Sequence, residues 1–256
     1  MKHIKQFKKY FYLLTILVKR DIKKKYKGSI LGILWSLLSP LVQLVLLTII
    51  FSTLFNTSIE NFPLYVIVAR LIFEFFSTAT NSAMYSIIES ADLLKKVYIP
   101  KFIITLSRVL SNFIILMISL IDLLIIMLVT KADFSITLLL LPIYLFFLLL
   151  FTIGICYILA TVATFFRDIV HLYSVFIMML MFASAIFYPA DIVPQKYFFI
   201  LELNPVYRFI ASCREIVVGV MPGISDFFVC LLLGVGTLIL GSIIFESKQN
   251  KLISRI

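Results

Sequence analysis

Arg70 and Glu74 stand four residues apart in an apolar stretch, so they share one face if that stretch is helical. Counted along a helix, Arg70 falls ~10 Å below one membrane edge and Glu74 near the middle of a ~30 Å hydrocarbon layer. Ionised groups at that depth are costly and often functional. They either form a self-neutralising pair that holds two helices together, or Arg70, with Phe73 beside it, meets phosphate or sugar hydroxyls in a polar pathway. Arg208 and Arg214 carry guanidinium forks that match phosphate oxygens, and could equally pair with Glu202 or Glu215. Arg108 and Asp122 lie towards the ends of another apolar run, from which they can snorkel to the interfaces. Enzymatic chemistry finds little material. The histidines are His3 and His171, and the three cysteines, Cys156, Cys213 and Cys230, lack metal-ligand spacing. The sequence contains no paired-histidine zinc motif, phosphate loop or nucleophile elbow. We therefore expect no metal or cofactor in this chain, and any work it performs must draw energy from a partner.

The elements that carry these residues follow from composition. The 256 residues are 62% hydrophobic and 14% charged, against roughly 45–50% and about 25% in soluble domains. That excess points to an all-α integral membrane protein. Six spans are predicted, near 30–55, 63–88, 102–130, within 134–166, 169–190 and 227–245. Residues 4–24 mix aromatic and aliphatic residues with lysines, as in a helix lying in the membrane interface. The stretch 196–219 is apolar but broken by Asn204-Pro205 and by Glu202, Arg208, Arg214 and Glu215. It reads as two short re-entrant helices, with Asn204 capping the second and Pro205 in its first turn. Such pieces survive only when shielded by protein or lining a wet cavity.

Charge sets the orientation. Net charge is +10, and ten of the 23 Lys and Arg lie between Lys2 and Lys27. Basic residues in that position are topology signals and anionic-lipid contacts, so nucleic-acid binding is not expected. With the N-terminus inside, the cytoplasmic parts hold 18 basic residues and the outer parts four. Both termini are then cytoplasmic. The chain reads as one transmembrane domain: an interfacial helix over 1–28, spans one to five over 30–188, an outer re-entrant region over 189–226, and the sixth span with its tail over 227–256. Tyr188, Tyr197, Phe198 and Tyr207 belong to an aromatic group at the outer face. Most such rings form the interfacial belt, and some could offer sugars a stacking surface along an exit.

Several segments together resemble one family. Arg20-Asp21-Ile22-Lys23, Tyr26, Ser29 to Trp35 and Pro40 are similar to the entry to span one of ABC transporter permeases that export polysaccharides, O-antigens and teichoic acids. Ala91-Asp92-Leu93-Leu94-Lys95-Lys96-Val97-Tyr98-Ile99-Pro100 resembles the loop after span two. Phe166-Arg167-Asp168 resembles the loop after span four, and Tyr188-Pro189, Val193-Pro194 and Asn204-Pro205 the region before the last span. The chain departs from the family in span two, where Ala69 to Phe75 stand in place of Gly and Trp. The resemblance implies a homodimeric channel above two ABC ATPase subunits, which carry the ATP and Mg. It also implies a lipid-linked glycan moved from the cytoplasm to the outer side of a bacterial plasma membrane. Coupling to the ATPase would fall on Glu89, Asp92, Leu93, Leu94, Lys95 and Lys96, joined by Arg20, Asp21, Arg167 and Asp168. The bland reading of Lys95 and Lys96 is a topology anchor. The rival readings are a related permease for a small drug or lipid, a membrane-embedded acyl- or glycosyltransferase, and a scaffold without transport.

Overall fold

The computed structural model describes residues 2–54, 61–96 and 99–253. Residues 56–60 of the first outer break, Val97 and Tyr98 of the loop after span two, and Arg255 of the tail lie outside the described residues. The described residues form ten α-helices and no strand. They are α1 (Lys2–Lys25), α2 (Trp35–Leu54), α3 (Phe62–Glu89), α4 (Ala91–Lys96), α5 (Lys101–Val129), α6 (Leu141–Phe165), α7 (Ile169–Phe182), α8 (Phe198–Leu203), α9 (Pro205–Val218) and α10 (Ile224–Ile253).

Five segments are long and apolar enough to cross a membrane: Gly32–Ile50, Phe62–Glu89, Lys101–Val129, Ile136–Phe165 and Ile224–Lys248. They correspond to predicted spans one, two, three, four and six. The helix starts are chemically marked. Asn61 Oδ1 accepts from Leu64 N at 3.3 Å, with Pro63 in the first turn of α3. Asn204 Oδ1 accepts from Val206 N at 3.0 Å and Tyr207 N at 3.3 Å, with Pro205 opening α9 as expected.

The stretch expected to hold the fifth span, 169–190, contains a shorter apolar helix. Helix α7 has 14 residues, about 21 Å by rise, and ends at Phe182 rather than running on to Ala190. Ala185 then takes a positive φ of 46°, and the chain turns through residues 183–189. Backbone that leaves a helix inside an apolar bundle needs new partners for its carbonyls. Here side chains supply them. Asn204 Nδ2 donates to Ala183 O at 2.9 Å, and Tyr65 Oη donates to Tyr188 O at 3.0 Å. Arg214 Nη2 donates to Ala185 O at 2.9 Å and to Ile186 O at 3.3 Å.

Helix α3 is the central post, packed by α5, α6 and α9. The halves of α3 and α5 nearest α4 are stitched by small polar groups: Ser86 and Thr105 hydroxyls at 3.0 Å, and Asn112 Nδ2 donating to Ser82 Oγ at 3.1 Å. Such bonds contribute about 0.6–2 kcal/mol each within a bilayer. Helices α6 and α10 meet differently, through glycine. A Cβ on Gly154 would collide with the Thr237 backbone, and one on Gly241 with the carbonyl of Gly154. A Cβ on Gly234 would sit 2.8 Å from Phe147 O. Small residues let two backbones approach where lipid provides no hydrophobic drive. We expect Gly241→Val to abolish recovery of monodisperse protein from detergent, its cost reaching or passing the ~3 kcal/mol end of overpacking. Gly236→Ala, where nothing lies within 4 Å, should leave yield and melting midpoint unchanged.

Candidate functional site

Polar residues recur at helical spacing on three predominantly apolar helices. Helix α2 carries Ser36, Ser39 and Gln43; α3 carries Arg70, Glu74 and Thr78; α5 carries Arg108, Asn112, Ser119 and Asp122. Each set makes one stripe on its helix. The stripes converge on a cavity of about 200 Å³ lined by Ser36 and Ser39, Glu74 and Thr78, and Asn112 and Ser119. Lys25, Tyr26 and Trp35, with the apolar Leu71, Phe75, Ile115 and Leu116, complete its wall. Ser119 Oγ donates to Ser36 O at 3.2 Å, fastening α5 to the start of α2. Burial lowers the proton affinity of the Lys25 ammonium, and the Glu74 carboxylate opposes that. Burial raises the Tyr26 phenol pKa, tempered by its hydrogen bond with Ser36.

Arg70 and Glu74 do share a face. Arg70 Nε lies 3.7 Å from Glu74 Oε2, and Arg70 Nη2 donates to Gln43 Oε1 of α2. The Arg70 side chain is 17% exposed and that of Glu74 46%. Glu74 lies about 18 Å from the Phe62 end of α3. A carboxylate so exposed at that depth cannot face hydrocarbon. The surface it presents must therefore be wet or covered by protein. Phe73, beside Glu74 in sequence, is buried in the core at 7% exposure.

At the α4 end of the bundle, charges join three helices. Asp21 of α1 is buried, accepting from Arg20 Nη2 at 2.9 Å and Ser107 Oγ at 3.1 Å. Arg108 of α5 reaches it, with Nε 3.7 Å from Asp21 Oδ2. The same guanidinium donates from Nη2 to Glu89 Oε2 of α3 at 2.9 Å, and Lys24 Nζ donates to that oxygen at 3.2 Å. Three predicted coupling residues, Arg20, Asp21 and Glu89, thus meet in one network. Its hub is Arg108, which does not snorkel to an interface: its side chain is 12% exposed. The short helix α4 begins two residues after Glu89. It turns Leu93 and Leu94 onto the core and leaves Asp92, Lys95 and Lys96 exposed. Arg167 and Asp168 are exposed at the α6–α7 turn. Asp122 does not snorkel either. It is fully buried, and neither carboxylate oxygen has a partner among the described residues.

The predicted outer residues gather at the opposite end, where several assignments change. Arg214 pairs with neither Glu202 nor Glu215. It is 8% exposed, stacks 3.4 Å over the Tyr65 ring, and donates from Nε to Tyr65 O at 3.1 Å. With the carbonyls of residues 185 and 186, this makes it the clamp on the turn after α7. Arg208 pairs with Asp226 of α10 at 3.4 Å and reaches Glu202 only through its backbone carbonyl. Tyr188 Oη donates to Phe182 O at 2.6 Å. Tyr197 is exposed, while Phe198 and Tyr207 are half-buried. The sequence reading missed Gln43, Ser36, Ser39, Thr78, Asn112 and Ser119. Their helical spacing within apolar runs was the available signal.

A profile of the family described as "ABC-2 type transporter" matches residues 12–218. An O-antigen export system permease protein, RfbA, of Klebsiella pneumoniae is 29% identical over 207 residues, covering 80% of this chain and 80% of that protein. The RfbA of Myxococcus xanthus is 28% identical over 251 residues, 97% of this chain and 96% of that protein. The polysialic acid transport protein KpsM of Escherichia coli is 24% identical over 242 residues, 92% of this chain and 93% of that protein.

Breaking the network at its buried carboxylate should destabilise more than removing an exposed member. Asp21→Ala strips Arg108 and Ser107 of a buried acceptor, at a cost of about 3 kcal/mol. Lys24→Gln removes a partner whose side chain is 65% exposed and should cost under ~1 kcal/mol. Melting midpoints of the two variants in one detergent measure the difference.

Proposed function

The chain belongs to the ABC-2 type transporter family, and from that premise we propose that it is the membrane permease subunit of an ATP-driven exporter of a cell-surface polysaccharide. The relatives named for O-antigen export and polysialic acid transport, each matched over most of its length, support this reading. The observation in this chain that carries it is the half-exposed Glu74 within a hydroxyl-lined wall of α2, α3 and α5. A polymer of sugars needs a surface that exchanges hydrogen bonds without holding any unit tightly. Serine, threonine and asparagine side chains offer donors and acceptors of that kind.

Residues 1–256 act as one transmembrane unit, with both termini on the cytoplasmic side of a bacterial plasma membrane. The bias of basic residues favours that orientation. Two copies face one another across their polar walls, because one protomer leaves Glu74 half uncovered and that face cannot meet lipid. Helix α7 and the turn after it complete a sixth crossing, and α8 and α9 dip in from the outer face. Two ABC ATPase subunits bind beneath, and ATP and Mg act there. They engage α4 through Asp92, Lys95 and Lys96, together with Arg167 and Asp168. Displacement of α4 reaches α3 through Glu89 and α5 through Arg108. The cargo is a lipid-linked glycan such as an O-antigen or a teichoic acid, moved outwards past Arg70 and Glu74.

Two expected outcomes follow for the tagged chain purified in mild detergent from its own cells. An ABC ATPase co-purifies, and Lys95→Glu with Lys96→Glu releases it without loss of folded permease. A chain that comes alone, or a variant that keeps its ATPase, contradicts the coupling assignment. Glu74→Leu should lower surface glycan by at least an order of magnitude while the complex still assembles. Unchanged export in an assembled Glu74→Leu complex would remove the wall from the pathway.

A further inference from the structure

The second large cavity lies at the far end of the bundle from α4. It is a cleft of about 470 Å³ between the start of α3, the α5–α6 connection and the end of α9. Its charged lining residues are Lys131, Asp133 and Arg214. Arg214 is more than nine-tenths buried, and its partners are the neutral carbonyls of Tyr65, Ala185 and Ile186. No carboxylate lies within ion-pair distance of it among the described residues. Carbonyls and the Tyr65 ring hold the guanidinium but do not neutralise its charge, which leaves it complementary to an anion in the cleft.

The surroundings favour one. Lys131 brings a second cation, held at the rim by a backbone with φ of 54°. Asn61, Leu64 and Tyr65 at the mouth belong to the start of α3, a 28-residue helix whose positive dipole end lies there. Tyr65 adds an aromatic wall beneath the guanidinium. Apart from Thr130, the rest is apolar, with Leu64, Val68, Val217 and Val218, which fits an acyl or glycerol portion attached to the anion. Asp133 alone opposes negative charge, leaving the lining with one net positive charge.

We infer that this cleft binds a phosphate-type anion, carried on a lipid headgroup or free in solution, between Arg214 and Lys131. Naming this end the outer face rests on the orientation proposed above; the binding itself does not. A headgroup held there would sit beside the turn after α7 that Arg214 clamps. Occupancy would therefore stiffen the junction of α3, α9 and that turn.

The test uses the full chain purified in a neutral maltoside detergent, independent of ATPase and export. Isothermal titration is run with inorganic phosphate, with dihexanoyl phosphatidic acid and with dihexanoyl phosphatidylcholine. Saturable binding of the first two at similar affinity identifies phosphate itself as the recognised group. Binding of phosphatidic acid alone identifies a lipid headgroup. In either case Lys131→Gln weakens binding about tenfold, the loss of one hydrogen bond to a charged group. Asp133→Asn tightens it. Both substitutions lie on exposed residues and leave the Arg214 clamp intact. The proposal is overturned if neither phosphate probe saturates, if phosphatidylcholine binds as well as phosphatidic acid, or if affinity ignores both substitutions.

Discussion

Hydrocarbon cannot solvate a polar group, and most of this architecture answers that constraint. The bundle divides into two halves that meet it in opposite ways. Helices α6 and α10 are apolar, and their backbones close together over Gly154, Gly234 and Gly241. Nothing there needs water. Helices α2, α3 and α5 each carry a polar stripe, and the stripes are turned towards one another. Ser86, Thr105 and Asn112 are enclosed and answered by a neighbouring helix, while the buried Asp122 carboxylate has no partner among the described residues. The surface that Glu74 leaves open must be wet or covered by protein.

The same constraint explains the turn after α7. A helix that stops inside the bundle frees carbonyls, and each freed carbonyl recruits a donor. Asn204, Tyr65 and Arg214 do this from α9 and α3, so a break in one helix becomes the joint that unites three segments. At the other end the joint is ionic. Asp21, Arg108 and Glu89 tie α1, α5 and α3 together just where α4 begins. The central post α3 is therefore gripped at both ends, by carbonyl-bound Arg214 near its start and by Arg108 at its close. In the proposed complex, a displacement of α4 has a stiff route along α3 to the polar wall.

Much of the frame was legible in the sequence because it rests on local chemistry. Long apolar runs located the five long helices, and Asn204-Pro205 marked a helix start by capping alone. The Arg70–Glu74 pair followed from spacing within one helix. What escaped were partners distant in the chain. Arg214 meets a carbonyl 149 residues away, and Arg108 meets Asp21 across 87 positions of sequence. Spacing rules hold within one helix, so both residues looked like interface or ligand groups. The predicted span runs past α7 because residues 183–187 carry no charge, and absence of charge does not say where helical backbone stops.

The central claim is that the α2–α3–α5 wall is wet at mid-membrane depth. Single cysteines at Ser39, Thr78 and, as a lipid-facing control, Leu232 of α10 test it, in a background with the buried Cys156, Cys213 and Cys230 replaced. Each is treated in native membranes with a charged, water-soluble methanethiosulfonate. The account predicts that the cysteines at 39 and 78 react and the one at 232 does not. If all three are equally inert, the polar wall is sealed from water and the pathway lies elsewhere.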